Sequence, residues 1–204
     1  SNALLSDFDA TSATNSNTAA HFSPQVLWTG AGEISYSLQF IQDGTGGAPV
    51  PVTLGDFSLT AWDLYGVGIT GAYFSTSDLT SYTLGASTAL SYTTSGAGQG
   101  TFTNTNAASN TIGTDGTSRV TVGYSSVSTL NFSIGSASSG SKTHLISGAN
   151  STSWFPTTPT TTAFPNIYSF SALTPFFTCD GVASTAQSFS LEGRNLTAPL
   201  QANA

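Results

Sequence analysis

The sequence predicts an all-β protein, an antiparallel β-sandwich of the jelly-roll kind with little or no helix. Apolar and polar residues alternate along many short segments, which is the period of a strand with one buried face. Glycine, proline and aspartate separate these segments at short intervals, as turns do in all-β domains. No stretch of ten or more residues has the spacing of apolar residues that an amphipathic helix requires.

The strand predictions follow the alternation along the chain. The clearest alternation covers residues 33–41, 56–62, 119–124 and 129–134. Weaker signals predict strands at 25–28, 68–74, 81–84, 89–93, 100–103 and 143–146. Only Ser77-Asp78-Leu79 resembles the cap of a short helical turn. Many short strands at this spacing favour a sandwich or jelly roll.

The composition divides the chain into four segments. Residues 1–3 (Ser-Asn-Ala) resemble a cleavage scar of recombinant expression, and residues 4–147 form the predicted sandwich. Residues 148–165 are rich in proline and threonine, which predicts an extended connector packed on the sandwich rather than a ladder strand. Residues 166–204 return to strand-like sequence and form the start of a truncated second β module, or strands added to the first.

The low charge narrows the classes of partner. Charged residues make up 6% of the chain, against about 25% in an average domain. Three basic residues cannot neutralise a phosphate backbone, so we expect no nucleic-acid partner. No apolar run is long enough for a transmembrane helix, so we expect no membrane insertion. A single cysteine, Cys179, excludes an internal disulfide and favours a bacterial exported protein over a eukaryotic secreted module.

One stretch near the end of the chain resembles a known family. Residues 178–199 contain Ala186, Gln187, Ser188, Phe189, Leu191, Gly193, Asn195, Leu196 and Thr197. This phrase is similar to the first strand and turn of Ig-like repeat modules in large bacterial surface and secreted proteins, with Leu191 where valine is usual. The resemblance implies that the chain ends inside a module, whose fragment would be frayed or borrowed by the main body. The body itself resembles other extracellular bacterial β-sandwich domains.

Catalytic patterns are sparse. Only His21 and His144 supply imidazole, and no G-x-S-x-G motif positions a nucleophilic serine. A pair of carboxylates for glycoside hydrolysis would have to come from Glu33 and Glu192, which lie far apart in the sequence, or from single aspartates. We therefore expect a protein that is not an enzyme, with a glycan-acting hydrolase as an alternative.

Calcium is the metal that the sequence favours, because Ca²⁺ accepts carboxylate, amide and carbonyl oxygens from sandwich loops. The candidate ligands are Asp7, Asp9, Asp56, Asp63 and Asp115. Aspartates in such positions also form turns and caps, and that interpretation stays open. One cysteine and two scattered histidines do not make a closed zinc site.

A carbohydrate site is predicted on the face opposite Phe57, Leu59 and Ala61. Trp62 would point outward with Ser58 and Thr60, and a tryptophan among hydroxyls suits a sugar ring. The alternative is that a second layer, such as the proline-rich connector, covers this tryptophan. Trp28 and Trp154 are the other aromatic candidates.

These observations lead to one functional expectation. The chain would be a non-catalytic module of a secreted or cell-surface bacterial multi-domain protein, with a structural or adhesive role and a glycan or protein partner. We expect it to be a monomer within a longer chain. A calcium-dependent carbohydrate-binding module is the first alternative.

Overall fold

The computed structural model describes residues 2–7, 22–42, 48–62, 64, 71–96, 98–105, 117–148, 159–169, 191–196 and 198. The chain forms two compact units, Ser1–Thr162 and Ala163–Ala204. The described residues form strands and turns, and no helix occurs among them, so the predicted fold class is confirmed. In this part of the chain there is accordingly no helix long and apolar enough to span a membrane.

The strands, in chain order, are β1 Ala3–Asp7, β2 Gln25–Trp28, β3 Gly32–Gln39, β4 Ile41–Gln42, β5 Val50–Pro51, β6 Phe57–Trp62, β7 Tyr73–Thr76, β8 Leu79–Leu84, β9 Leu90–Thr93, β10 Gly100–Asn104, β11 Val120–Tyr124, β12 Thr129–Ser136, β13 Gly140–Thr143, β14 Leu145–Ser147, β15 Thr160–Ala163, β16 Asn166–Ser169 and β17 Leu191–Arg194.

Two five-stranded sheets carry the fold. The first, sheet I, has the order β3-β12-β7-β10-β9, and the second, sheet II, has the order β14-β6-β11-β8-β15. The pairs β3·β12, β6·β11 and β7·β10 are antiparallel and nested within one another along the chain, as in a jelly roll. Two strands lie outside this nesting. Strand β9 pairs with β10 as a hairpin, and β15 lies beside β8.

The core lies between the inner faces of the two sheets, as the alternation predicts. Apolar side chains at alternate positions are buried and their polar neighbours face outward. Tyr82 of sheet II packs edge-on against Phe102 of sheet I, with ring centroids 5.2 Å apart. The most deeply buried apolar residues include Leu59, Ala61, Phe74, Phe102, Val120, Val122 and Ile134.

A hydrogen bond joins the two layers inside the core. The hydroxyls of Thr76 in sheet I and Tyr124 in sheet II lie 2.7 Å apart. Thr76 donates its own proton to the carbonyl of Asn131 at 2.9 Å, so Tyr124 is the donor in the bond between the sheets. The phenol of Tyr124 is thereby satisfied although the residue is 2% exposed.

Two expectations are corrected, and one strand was not predicted. Residues 160–163 are not an unpaired connector, because β15 is the fifth strand of sheet II. Ser77 and Asp78 cap no helix: they make a tight turn between β7 and β8, with φ of 61° at Asp78. Residues 3–7 form β1, an edge strand of a three-stranded sheet with β2 and β13. The cleavage-scar interpretation of residues 1–3 stays a prediction.

The second unit contains a two-stranded antiparallel sheet of β16 and β17. The family-like stretch supplies β17, which pairs Gly193 with Ile167. The fragment thus has a sheet of its own, contrary to what the resemblance implied. Asn195 follows β17 with a φ of 54°, a turn conformation that asparagine tolerates, and its amide donates to the carbonyl of Phe164 at 3.2 Å.

Candidate functional site: an exposed row of hydroxyls

The outer face of sheet I carries a continuous row of hydroxyl side chains. The strand registers align Ser35 with Ser133, Ser133 with Ser75, Ser75 with Thr101, and Thr101 with Thr93. One residue from each of the five strands therefore contributes, and we call this set the open hydroxyl row. Strands lie about 4.8 Å apart, so the row extends over about 19 Å, a length comparable to a short oligosaccharide.

Neighbouring hydroxyls in this row hydrogen bond to one another. The Oγ atoms of Ser35 and Ser133 lie 2.8 Å apart, and Ser75 Oγ lies 3.1 Å from Thr101 Oγ1. A hydroxyl has one donor and two acceptor sites, so each such pair keeps one O–H and several lone pairs for another partner. Since these bonds also fix the side-chain rotamers, the row is a pre-organised hydrogen-bonding surface.

A groove of about 360 Å³ runs over this row. Four residues of the open hydroxyl row line it, all except Thr93, together with Ser37, Ser77 and Asn131 and with Ser95 and Gln99 from the turn between β9 and β10. The lining also includes Gly100 and three buried residues, Tyr36, Thr76 and Phe132. None of the described residues that line it is charged. A neutral, hydroxyl-rich groove of this kind matches the hydrogen-bonding pattern of an uncharged, hydroxyl-rich ligand.

The next row along the same face ends in an aromatic side chain and a carboxylate. Glu33, Gly135 and Tyr73 are in register on β3, β12 and β7. The Tyr73 ring lies across Gly135, because a Cβ at that position would overlap the ring, and its hydroxyl donates to Glu33 Oε2 at 3.0 Å. Burial, and then the bond to Glu33 and its negative charge, raise the pKa of Tyr73 to about 12.

Sheet II repeats the hydroxyl pattern, but there it is covered. Ser147, Thr60, Thr121 and Thr83 are in register, and all four are less than 9% exposed. We call these four residues the buried hydroxyl row. Thr60 and Thr121 hydrogen bond at 2.9 Å, and Thr83 bonds at 2.8 Å to the exposed Thr161 on β15. Similar residues in similar register are therefore accessible on one sheet only.

The predicted tryptophan platform lies on this covered face. Thr60 has no exposed surface, which corrects the expectation that it points into solvent. Ser58 and Trp62 are half-buried. The guanidinium of the buried Arg119 sits 4.5 Å from the centre of the Trp62 ring, a cation–π contact that covers one indole face. Trp28 is buried in β2, and Trp154 lies outside the described residues.

Among the residues that the structure describes, the candidate calcium ligands do not come together. Asp9, Asp63 and Asp115 lie outside the described residues, and Asp7 ends β1. Asp56 precedes β6 and accepts a hydrogen bond from Ser125 at 3.1 Å. Among the described residues no three metal-ligating side chains form a group. The calcium hypothesis stays a prediction, tested by thermal unfolding with and without millimolar Ca²⁺.

Two of the catalytic candidates, His144 and Glu33, lie in the first compact unit. His144 is 1% exposed, and its ring packs edge-on against Trp28 at 5.2 Å. Glu192 lies in the second compact unit. His21 lies outside the described residues.

Sequence reasoning missed the open hydroxyl row. Alternation over 33–41 and 129–134 placed Ser35 and Ser133 on an outer face, whereas Ser75 lies just beyond the predicted strand 68–74. Only strand order and register show which of these hydroxyls are neighbours. The available signal was the rarity of charge on the outward positions of these strands. No protein-family model, curated protein or solved structure matches the chain.

Proposed function

We propose that this chain is a non-catalytic binding module of a secreted or cell-surface bacterial protein, and that it contacts glycan through the groove over the open hydroxyl row. The observation that carries the proposal is the alignment of five hydroxyl residues, one from each strand of sheet I, of which four lie beneath a neutral groove. The adhesive role and the exported location are part of the proposal.

The chemistry of the groove supports a glycan over a typical protein partner. Protein interfaces are rich in aromatic residues and arginine at their centres. The accessible side chains of this groove are hydroxyls and amides, and its two aromatic residues, Tyr36 and Phe132, are buried. Glycans present hydroxyls that both donate and accept, which matches side chains with the same dual capacity. The outward strand positions sit on a rigid sheet, so little ordering entropy opposes binding.

Affinity electrophoresis in native gels tests this proposal. The probes are soluble neutral polysaccharides: dextran, laminarin, xylan and galactomannan. We expect at least one to retard the wild-type protein. Thr101→Val should weaken that interaction about fivefold, because it removes a hydrogen bond worth about 1 kcal/mol.

Thr161→Val is the matched control. Thr161 also lies on a strand and also pairs its hydroxyl with the neighbouring strand, but it belongs to sheet II. We expect Thr161→Val to bind like the wild-type protein. Retardation that is equal for both variants, or absent for the wild-type protein with all four probes, would overturn the proposal.

A further inference from the structure

We propose that Tyr73 and Glu33 form a subsite for one uncharged sugar ring at the end of the groove, and that Glu33 makes this site select neutral over anionic glycans. This inference rests on the proposed function, because it assigns the ligand class and the end point of the same surface. It adds two residues that do not line the groove itself.

The position of the pair is set by the sheet. Glu33, Gly135 and Tyr73 occupy the row beside Ser35, Ser133 and Ser75, on the same outer face. Residues two apart on a strand are about 6.8 Å apart, so this row borders the groove directly. A ligand that lies over the open hydroxyl row and extends along the strands would therefore reach Tyr73 and Glu33 next.

The Tyr73 ring is held in place from below and at its tip. Gly135 has no side chain, so the ring can lie directly against its backbone. The Tyr73 hydroxyl donates a hydrogen bond to Glu33 Oε2 at 3.0 Å. The side chain is still half-exposed, so the ring is not sealed inside the protein. An aromatic ring fixed in this way offers a flat apolar surface with a polar tip, which suits the C–H face of a sugar.

Glu33 supplies strong acceptors beside that ring. One carboxylate oxygen accepts from Tyr73, and the residue is exposed, so the remaining lone pairs face solvent. Hydrogen bonds to an ionised carboxylate are stronger than those between neutral groups. Two neighbouring hydroxyls of a neutral sugar can donate hydrogen bonds to this carboxylate. A carboxylate or sulfate group of an anionic sugar at the same position would be repelled by its charge.

Among the described residues of the five strands of sheet I there is no lysine or arginine beside Glu33. The chain has three basic residues. Arg119 is buried, and β13, which carries Lys142, belongs to the three-stranded sheet rather than to sheet I. Asp78, which is exposed at the turn after β7, adds a second negative charge near the other end of the groove. An anionic ligand would therefore be repelled at both ends.

The test compares three variants by affinity electrophoresis with neutral probes (dextran, laminarin, xylan and galactomannan) and anionic probes (alginate and polygalacturonate). Glu33→Gln keeps an acceptor for Tyr73 but removes the charge. We expect it to bind the preferred neutral probe about fivefold to tenfold more weakly, and to be retarded by an anionic probe that leaves the wild-type protein unaffected. Tyr73→Phe keeps the ring and should bind within about threefold of wild type, while Tyr73→Leu should lose about tenfold.

Amide chemical-shift mapping of the wild-type protein with a fragment of the preferred neutral probe is the second measurement, which needs no variant to fold. We expect shifts at Glu33, Tyr73 and Gly135. Wild-type affinity in Glu33→Gln and Tyr73→Leu, with Thr101→Val still defective, would overturn the subsite but leave the proposed function standing. A wild-type protein that no neutral probe retards would overturn both.

Discussion

At the scale of single residues, the absence of a side chain at position 135 determines where an aromatic ring can lie. Gly135 sits between β3 and β7, and the Tyr73 ring crosses it to reach Glu33. Glycine normally weakens a strand, yet here it allows a close approach that any other residue would block. The sequence shows a glycine in an alternating segment but not the ring above it, because the ring comes from a strand about sixty positions away.

Gly135→Ala should displace the Tyr73 ring and break its bond to Glu33. Because the ring can swing outward, we expect a loss of only about 1 kcal/mol in the free energy of unfolding, measured by urea titration. The pKa of Tyr73, followed by tyrosinate absorbance, should fall from about 12 towards its ordinary value.

The control for this variant is Gly55→Ala, since no atom lies within 4 Å of a Cβ at Gly55. Its unfolding free energy should stay within about 0.5 kcal/mol of wild type. If Gly135→Ala leaves both the stability and the titration of Tyr73 unchanged, the close approach does not exist.

At the scale of elements, the two sheets carry similar rows of hydroxyl side chains, but the row is accessible on sheet I and buried on sheet II. The open hydroxyl row and the buried hydroxyl row both come from serine and threonine at alternating positions, and both form hydroxyl pairs across strands. Alternation predicted the strands and faces of β3 and β12 correctly. On β6 it placed Thr60 in solvent, where the structure buries it. It could not predict which outer face is covered, because coverage depends on how distant segments pack. For the same reason the sequence pointed to Trp62, and not to Tyr73, as the aromatic side chain of a sugar site.

The bond between the sheets gives a prediction at this scale. Tyr124→Phe removes the donor to Thr76 and leaves a buried hydroxyl lone pair without its partner. We expect a loss of about 1–2 kcal/mol in unfolding free energy from urea titration.

Tyr92→Phe provides the comparison for that variant, because the Tyr92 hydroxyl donates to the Gln99 carbonyl at 3.3 Å in an exposed position where water can replace it. This change should cost less than about 0.5 kcal/mol. Equal costs for the two substitutions would show that the buried bond does not stabilise the contact between the layers.

At the scale of the whole molecule, hydroxyls take the place of charges. Only 6% of the residues are charged, and three tyrosines have a pKa that the fold clearly raises: Tyr36, Tyr73 and Tyr124. Burial raises the pKa of Tyr36 to about 12 and also raises the pKa of Tyr124. Composition alone predicted a charge-poor surface, but only the packing shows which tyrosine hydroxyls are buried away from water.

These shifts predict alkaline destabilisation. A raised pKa means that, above about pH 10, the folded state holds protons that the unfolded state releases. The stabilising contribution is therefore fully present below pH 10 and declines as the pH rises towards 12. The urea midpoint should fall over this range, and tyrosinate absorbance should rise together with unfolding. Ionisation of all seven tyrosines near pH 10 in a protein that stays folded would contradict the burial of these side chains.

The central claim is that the outer face of sheet I is the binding surface. Amide chemical-shift mapping with the neutral polysaccharide fragment that retards the protein tests it most directly. We predict that the shifted amides cluster on the open hydroxyl row of β3, β12, β7 and β10, and that β6 and β11 of sheet II stay unchanged. Shifts centred on Trp62 and its neighbours in sheet II, with none on the open hydroxyl row, would contradict the account.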